Sequence, residues 1–140
     1  MSGERVNILK DRAEFFLGLA EELYERGRLD LAFFHVEQAC QLRIKATILR
    51  FVGEIPRVHS ARELLGMVAK KLEELNCSRE SDMVVGFVRE FRGVLMDIED
   101  AYVESRYGVV ASTRNVLSEA ISVAKSLFRL LDQVEKSVLG

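Results

Sequence analysis

A single proline, Pro56, interrupts 140 residues in which apolar side chains return every three or four positions. That spacing follows the helical turn, and no stretch of alternating apolar and polar residues is long enough to build a sheet. No Asn-Gly or Asp-Gly pair offers a hairpin turn. The pattern predicts an all-α fold, an up-and-down antiparallel bundle of four to five helices. No repeat, low-complexity segment or Pro/Gly/Ser-rich linker divides the chain, so residues 1–140 read as one domain.

The first helix is expected over Arg5–Glu25, with Val6, Leu9, Ala13, Phe16, Leu17, Ala20 and Leu23 on one face and Gly27 as its stop. Asp30 is placed as the N-cap of a second helix ending near Gly53. Ser60 and Glu63 form a capping box opening a third, which ends near Asn76. A fourth is expected from about Asp82 past Ile98, and a fifth from about Ser112 through Val134. Phe33 and Phe34 point in different directions around the second helix, so one of them faces either a further helix or a second subunit.

With 49% hydrophobic residues the chain is able to fill a core, and a formal charge of −2 provides no bulk basic field for unspecific nucleic-acid binding. The N-terminus has no apolar signal core, and no uncharged apolar stretch reaches membrane-spanning length, so a soluble cytoplasmic protein is expected. Cys40 and Cys77 lack a CxxC or a neighbouring histidine pair and read as buried thiols rather than a zinc site or a disulfide. Scarce asparagine, glutamine and cysteine beside abundant glutamate and arginine are compatible with a thermophilic source.

Chemistry is concentrated in two stretches. His35, Gln38 and Lys45 share a stripe of the second helix, either a donor line for an anion or a solvated edge. His59 stands just before the third helix, where opening amides and Arg57 offer an anion site; a plain surface histidine is the alternative. Further on, Tyr102, Ser105 and Arg106 fall at i, i+3 and i+4, followed by Tyr107. The Arg106 guanidinium suits either a phosphate or a clamp to Glu99, Asp100 or Glu104. Asp97, Asp100 and Glu104 line one helix face and read as a solvated acidic exterior. Neither a hydrolase triad, a Walker loop, a metal-ligand set nor a cofactor motif is present.

Leu31-Ala-Phe-Phe-His-Val-Glu-Gln-Ala-Cys-Gln-Leu-Arg-Ile-Lys-Ala46, then Gly53, Pro56 and His59–Leu65, then Tyr102-Val-Glu-Ser-Arg-Tyr107, together resemble the HEPN domain family from about Leu17 to Leu131. The resemblance implies a helical bundle that forms homodimers and is often encoded beside a minimal nucleotidyltransferase in toxin-antitoxin-like pairs. Some members bind nucleotides and others cleave RNA. In the nucleases, an arginine matching Arg106 is followed four to six residues later by a histidine. Here Tyr107 to Thr113 contain none, and no side chain among them replaces imidazole as a proton shuttle near neutral pH. Gly108 stands where many relatives have proline and loosens the backbone. The resemblance therefore implies a non-catalytic dimer that binds a nucleotide or RNA phosphate. The metal-independent RNA endonuclease and the purely structural dimerisation module stand as alternatives. Tyr102, Ser105, Arg106, Tyr107, His35, Gln38, Lys45 and His59 are the candidate contacts.

Overall fold

The computed structural model describes the backbone of residues 2–107 and 113–140, and the side chains of residues 3–101 and 113–140. Among the described residues there are six helices and no strand: α1 (Ser2–Glu25), α2 (Leu29–Val52), α3 (Ala61–Glu74), α4 (Ser78–Glu90), α5 (Arg92–Tyr107) and α6 (Arg114–Leu139). None is long and apolar enough to cross a membrane.

The helix stops follow local chemistry. Gly27 takes a positive φ of 75°, while Gly27 N–H donates to Tyr24 O and Arg28 N–H donates to Leu23 O, the paired bonds that close a helix on a left-handed residue. This turn is so tight that α2 resumes at Leu29. Arg28 therefore holds the N-cap position, and Asp30, expected there, lies inside the first turn, where its charge still favours the helix's positive end. Asn76, with φ 62°, ends α3 by the same pairing. Ser60 caps α3 by accepting from Glu63 N–H, and Thr113 caps α6 by accepting from Val116 N–H.

Two junctions refine the expected bundle. The expected fourth helix begins earlier, at Ser78, and is delivered as two segments that meet at Phe91, whose ring packs on Phe87 at 4.8 Å. Residues 53–60 fold back along α2, bringing His59 Nδ1 within 3.2 Å of Gln41 Oε1. The later residues of α3, Met67 and Val68, then face Ile48 and Phe51, so α3 runs beside α2 in the same sense.

Helix α2 is the centre of the bundle, in contact with α1, α3, α5 and α6. Its buried set runs Ala32, Phe33, Val36, Ala39, Cys40, Ile44, Ala46, Ile48 and Leu49, which covers most of its circumference. Phe33 fills the core at 3% exposure, while Phe34 lies half-buried at its edge. Both cysteines are free thiols, Cys40 buried and Cys77 half-buried.

So complete a burial also takes polar side chains out of water. Arg43, 2% exposed, donates to Thr47 Oγ1 (2.8 Å), Asp132 Oδ1 (2.7 Å) and Glu135 Oε2 (2.9 Å). Glu135, also 2% exposed, further accepts from Lys10 Nζ (2.7 Å), Thr47 Oγ1 (2.7 Å) and Arg50 Nη1 (2.9 Å). One carboxylate thus joins α1, α2 and α6. Burial alone raises the Glu135 carboxyl, but Lys10, Thr47 and Arg43 outweigh it and hold the group at about 2.

Removing one partner of a buried ionic set leaves the other charge uncompensated, so Glu135→Ala is expected to cost about 3–5 kcal/mol in urea unfolding at neutral pH. The folded value lies below the unfolded one, near 4.5, so this contribution is complete above pH 4.5 and disappears as pH falls toward 2. Urea midpoints from pH 6 to pH 2 should therefore fall more steeply in the native chain than in Glu135→Gln.

Candidate functional site

A second polar cluster sits where α2, the start of α3 and α5 meet. Its centre is Glu37, 2% exposed and one helical turn before Gln41. Gln38 Nε2 donates to Glu37 Oε1 at 2.7 Å, and Gln41 Nε2 donates to Glu37 Oε2. The other end of the Gln41 amide faces outward: its Oε1 accepts from Lys45 Nζ at 3.2 Å and lies 3.2 Å from His59 Nδ1. With that oxygen as acceptor, His59 carries a proton on Nδ1. His59 is exposed and Lys45 half-buried, so both donors are reached from solvent.

Glu99 of α5 closes the cluster from the other side. Its carboxylate takes a two-pronged ion pair from Arg62, Nε to Oε2 at 2.7 Å and Nη2 to Oε1 at 3.0 Å. Ser60 Oγ donates to Oε1 at 3.0 Å, and Arg62 N–H donates to Oε2 at 3.3 Å. Unpaired amides and the helix dipole make a helix N-terminus attractive to an anion. At α3 that anion is the chain's own Glu99, where the sequence had suggested a ligand held with Arg57.

The charges follow from these partners. Burial pushes the Glu37 carboxyl up, the hydrogen bonds from Gln41 and Gln38 and the charge of Lys45 pull it back, and nearby Glu99 adds to the rise, leaving it at about 7. Burial lowers Lys45, against the favourable charge of Glu37. The hydrogen bond to Glu99 raises Arg62. Burial, and then Glu37, raises the Cys40 thiol and keeps it protonated and unreactive. The recess thus presents a cation and a ring N–H converging on one neutral amide oxygen. Such an acceptor is weaker than a carboxylate or phosphate oxygen, so an arriving anion competes for both donors.

Gln38, Lys45 and His59 are brought together by this network. His35 is not: its ring stacks on Phe16 at 5.6 Å and meets Phe34 edge-on at 5.4 Å, and burial lowers its pKa. Its Nδ1 is buried with no hydrogen-bond partner among the described residues. The side chains of Tyr102, Ser105, Arg106 and Tyr107 lie outside the described residues; they belong to α5, whose Glu99 precedes Tyr102 by three positions. Asp97 and Asp100 are exposed, as expected of an acidic exterior. Among the described residues no group of three His, Cys, Asp or Glu is placed to hold a metal.

Reading the sequence alone missed Glu37, Gln41, Arg62 and Glu99. A signal was available in the paired spacing of Glu37 with Gln41 and of Arg43 with Thr47, each at i and i+4 inside an otherwise apolar helix. Arg62 and Glu99 carry no such local mark, since their pairing spans 37 residues.

Residues 6–134 match the family model described as HEPN domain, nearly the whole chain. No curated protein matches the chain.

Glu37 sets a pH dependence opposite to that of Glu135. Its folded value, about 7, lies above the unfolded 4.5, so its contribution to stability is complete below pH 4.5 and is lost as pH rises through 7. Comparing urea unfolding at pH 5 and pH 8.5, the native chain should lose on the order of 2–3 kcal/mol more than Glu37→Gln.

Proposed function

Since the chain belongs to the HEPN domain family, we propose that it is a non-catalytic homodimer that binds a nucleotide or an RNA phosphate and acts in the cytoplasm with a minimal nucleotidyltransferase. The observation that carries this reading is the convergence of Lys45 and His59 on Gln41 Oε1, beside the α5 carboxylate of Glu99. Helix α5 also carries Tyr102, Ser105, Arg106 and Tyr107 along its last turns. A phosphate taken by the Arg106 fork would draw on the Lys45 and His59 donors, with the tyrosines available to stack on a base. Gln38 serves the site through Glu37, and His35 has no part in it because its ring is engaged by Phe16 and Phe34.

The absence of a histidine within six residues after Arg106 supports binding rather than cleavage. The exposed aromatic face of α1 supports self-association, with Phe15 at 67% exposure and packed edge-on against Phe16. Sedimentation should give twice the 15.9 kDa chain, and Phe15→Asp should shift it to a monomer without lowering the melting temperature.

Metal-free calorimetric titration with ATP and with a short single-stranded RNA, at low salt where phosphate contacts are strongest, tests the ligand. Arg106→Ala should weaken binding by about 1.5–3 kcal/mol, and Lys45→Ala by a smaller amount. Unchanged affinity in Arg106→Ala would remove that residue from the site. RNA cleavage in the presence of a chelator, lost in Arg106→Ala, would replace this reading with the endonuclease. Loss of the dimer alone would replace it with a structural module.

A further inference from the structure

The Glu37 cluster is built for one of that residue's two charge states and must rearrange for the other. While Glu37 is ionised, each of its oxygens accepts from a carboxamide, Oε1 from Gln38 Nε2 at 2.7 Å and Oε2 from Gln41 Nε2. A protonated carboxyl is itself a donor, and its O–H meets an amide N–H where it needs an acceptor. Glu37 is 2% exposed, so solvent does not relieve the clash, and one of the two amides must exchange its ends to offer an oxygen.

The two exchanges leave different surfaces behind. Among the described residues the Gln38 amide bonds to Glu37 alone, so its turn disturbs no other bond and suffices while the recess is empty. The Gln41 turn reaches further, because Gln41 Oε1 is the shared acceptor of Lys45 Nζ and His59 Nδ1, each at 3.2 Å. Turned inward, that oxygen takes the Glu37 proton, and Nε2 comes out beside the two donors. An amide N–H, an ammonium and a ring N–H then converge with no oxygen between them, and an oxyanion supplies what is missing.

Charge acts in the same direction. The titratable groups facing Glu37 among the described residues are Lys45 and Cys40 on α2, His59 on the link 53–60 through Gln41, Glu99 on α5, and Arg62 on α3 through Glu99. Burial keeps the Cys40 thiol protonated and neutral. With His59 neutral, Lys45 and Arg62 balance Glu99 and an ionised Glu37, so the recess has no net charge. One positive charge is left once Glu37 is protonated, and only then does a net field favour an anion. Burial holds the Glu37 carboxyl up at about 7, so both states are populated near neutral pH.

We propose that the recess binds an oxyanion together with a proton taken from solvent onto Glu37 Oε2, with the end-for-end turn of the Gln41 amide as the link between the two. This regulation belongs to the phosphate site proposed above and rests on it; the site fills in weak acid and empties as Glu37 ionises. Glu37 touches no ligand and acts as a positioning residue through Gln41.

Sulfate is the probe, because its charge is constant from pH 5.5 to pH 8.5 while phosphate titrates within that range. Calorimetry of the full chain should give an affinity roughly tenfold tighter at pH 5.5 than at pH 8.5. At pH 7.5, in buffers of different ionisation heat, it should give a net uptake of about half a proton per sulfate, as a tenfold linkage requires. The native chain should exceed Glu37→Gln in both quantities, since any charge gained by His59 is common to the two. If that variant melts early, the NMR shift of the Glu37 carboxyl carbon in the native chain takes its place, and saturating sulfate should raise its midpoint by about one pH unit. Sulfate bound with no more proton uptake than in Glu37→Gln, or an unmoved Glu37 midpoint, overturns the proposal and leaves the phosphate reading standing. No sulfate binding at either pH also overturns it, and no binding of ATP or RNA besides overturns both.

Discussion

A helix packed by four neighbours can turn few of its polar side chains to water, and α2 is such a helix. Every polar group that it buries must find a partner inside the protein or weaken the fold. The sequence places four such groups among its buried positions, Glu37, Gln41, Arg43 and Thr47. They fall into two pairs one helical turn long and reach different neighbours. Arg43 and Thr47 look toward α1 and α6 through Glu135, and Glu37 and Gln41 look toward α3 and α5. The bundle is therefore tied along one helix by two polar clusters with an apolar core between them.

The two buried glutamates show how partners decide charge. Both are 2% exposed, so the cost of removing them from water is alike in kind. Glu135 meets Lys10, Arg43 and Arg50, and full charges opposite it keep it ionised far into acid. Glu37 meets two neutral amides and has Glu99 nearby, and dipoles alone do not offset its burial. One cluster is a fixed brace, while the other changes its proton count near neutrality and opens to solvent through His59 and Lys45. A cluster whose buried member titrates in that range and whose rim is open to solvent is a candidate for a working site, which is why the proposed binding is placed there and not at the stronger brace.

Much of the architecture was legible because it is written locally. Gly27, the Ser60 cap and Asn76 each end or begin a helix through bonds to residues a few positions away. The break at Phe91 was not legible, since Phe87, Phe91 and Leu95 keep the helical period across it. The site was read only in its outer parts. Lys45 and His59 were recognised as donors, but the acceptor that joins them, Gln41, looks like one more polar residue until the link 53–60 is seen to fold back along α2. His35 shared a stripe with Gln38 by spacing, yet its surroundings are set by Phe16 on another helix, which no period within α2 encodes.

The brace at Glu135 also orders events in time. Arg43 precedes Glu135 by 92 residues, and Lys10 precedes it by 125. A chain emerging from the ribosome at roughly 5–20 residues per second carries the hairpin of α1 and α2 for several seconds before the carboxylate that neutralises it exists. During that interval Arg43 has no route to burial, because Asp132 and Glu135 both lie in the last helix. Until the last helix is made, Arg43 keeps its water, and the ionic set that ties α1, α2 and α6 closes only when α6 docks.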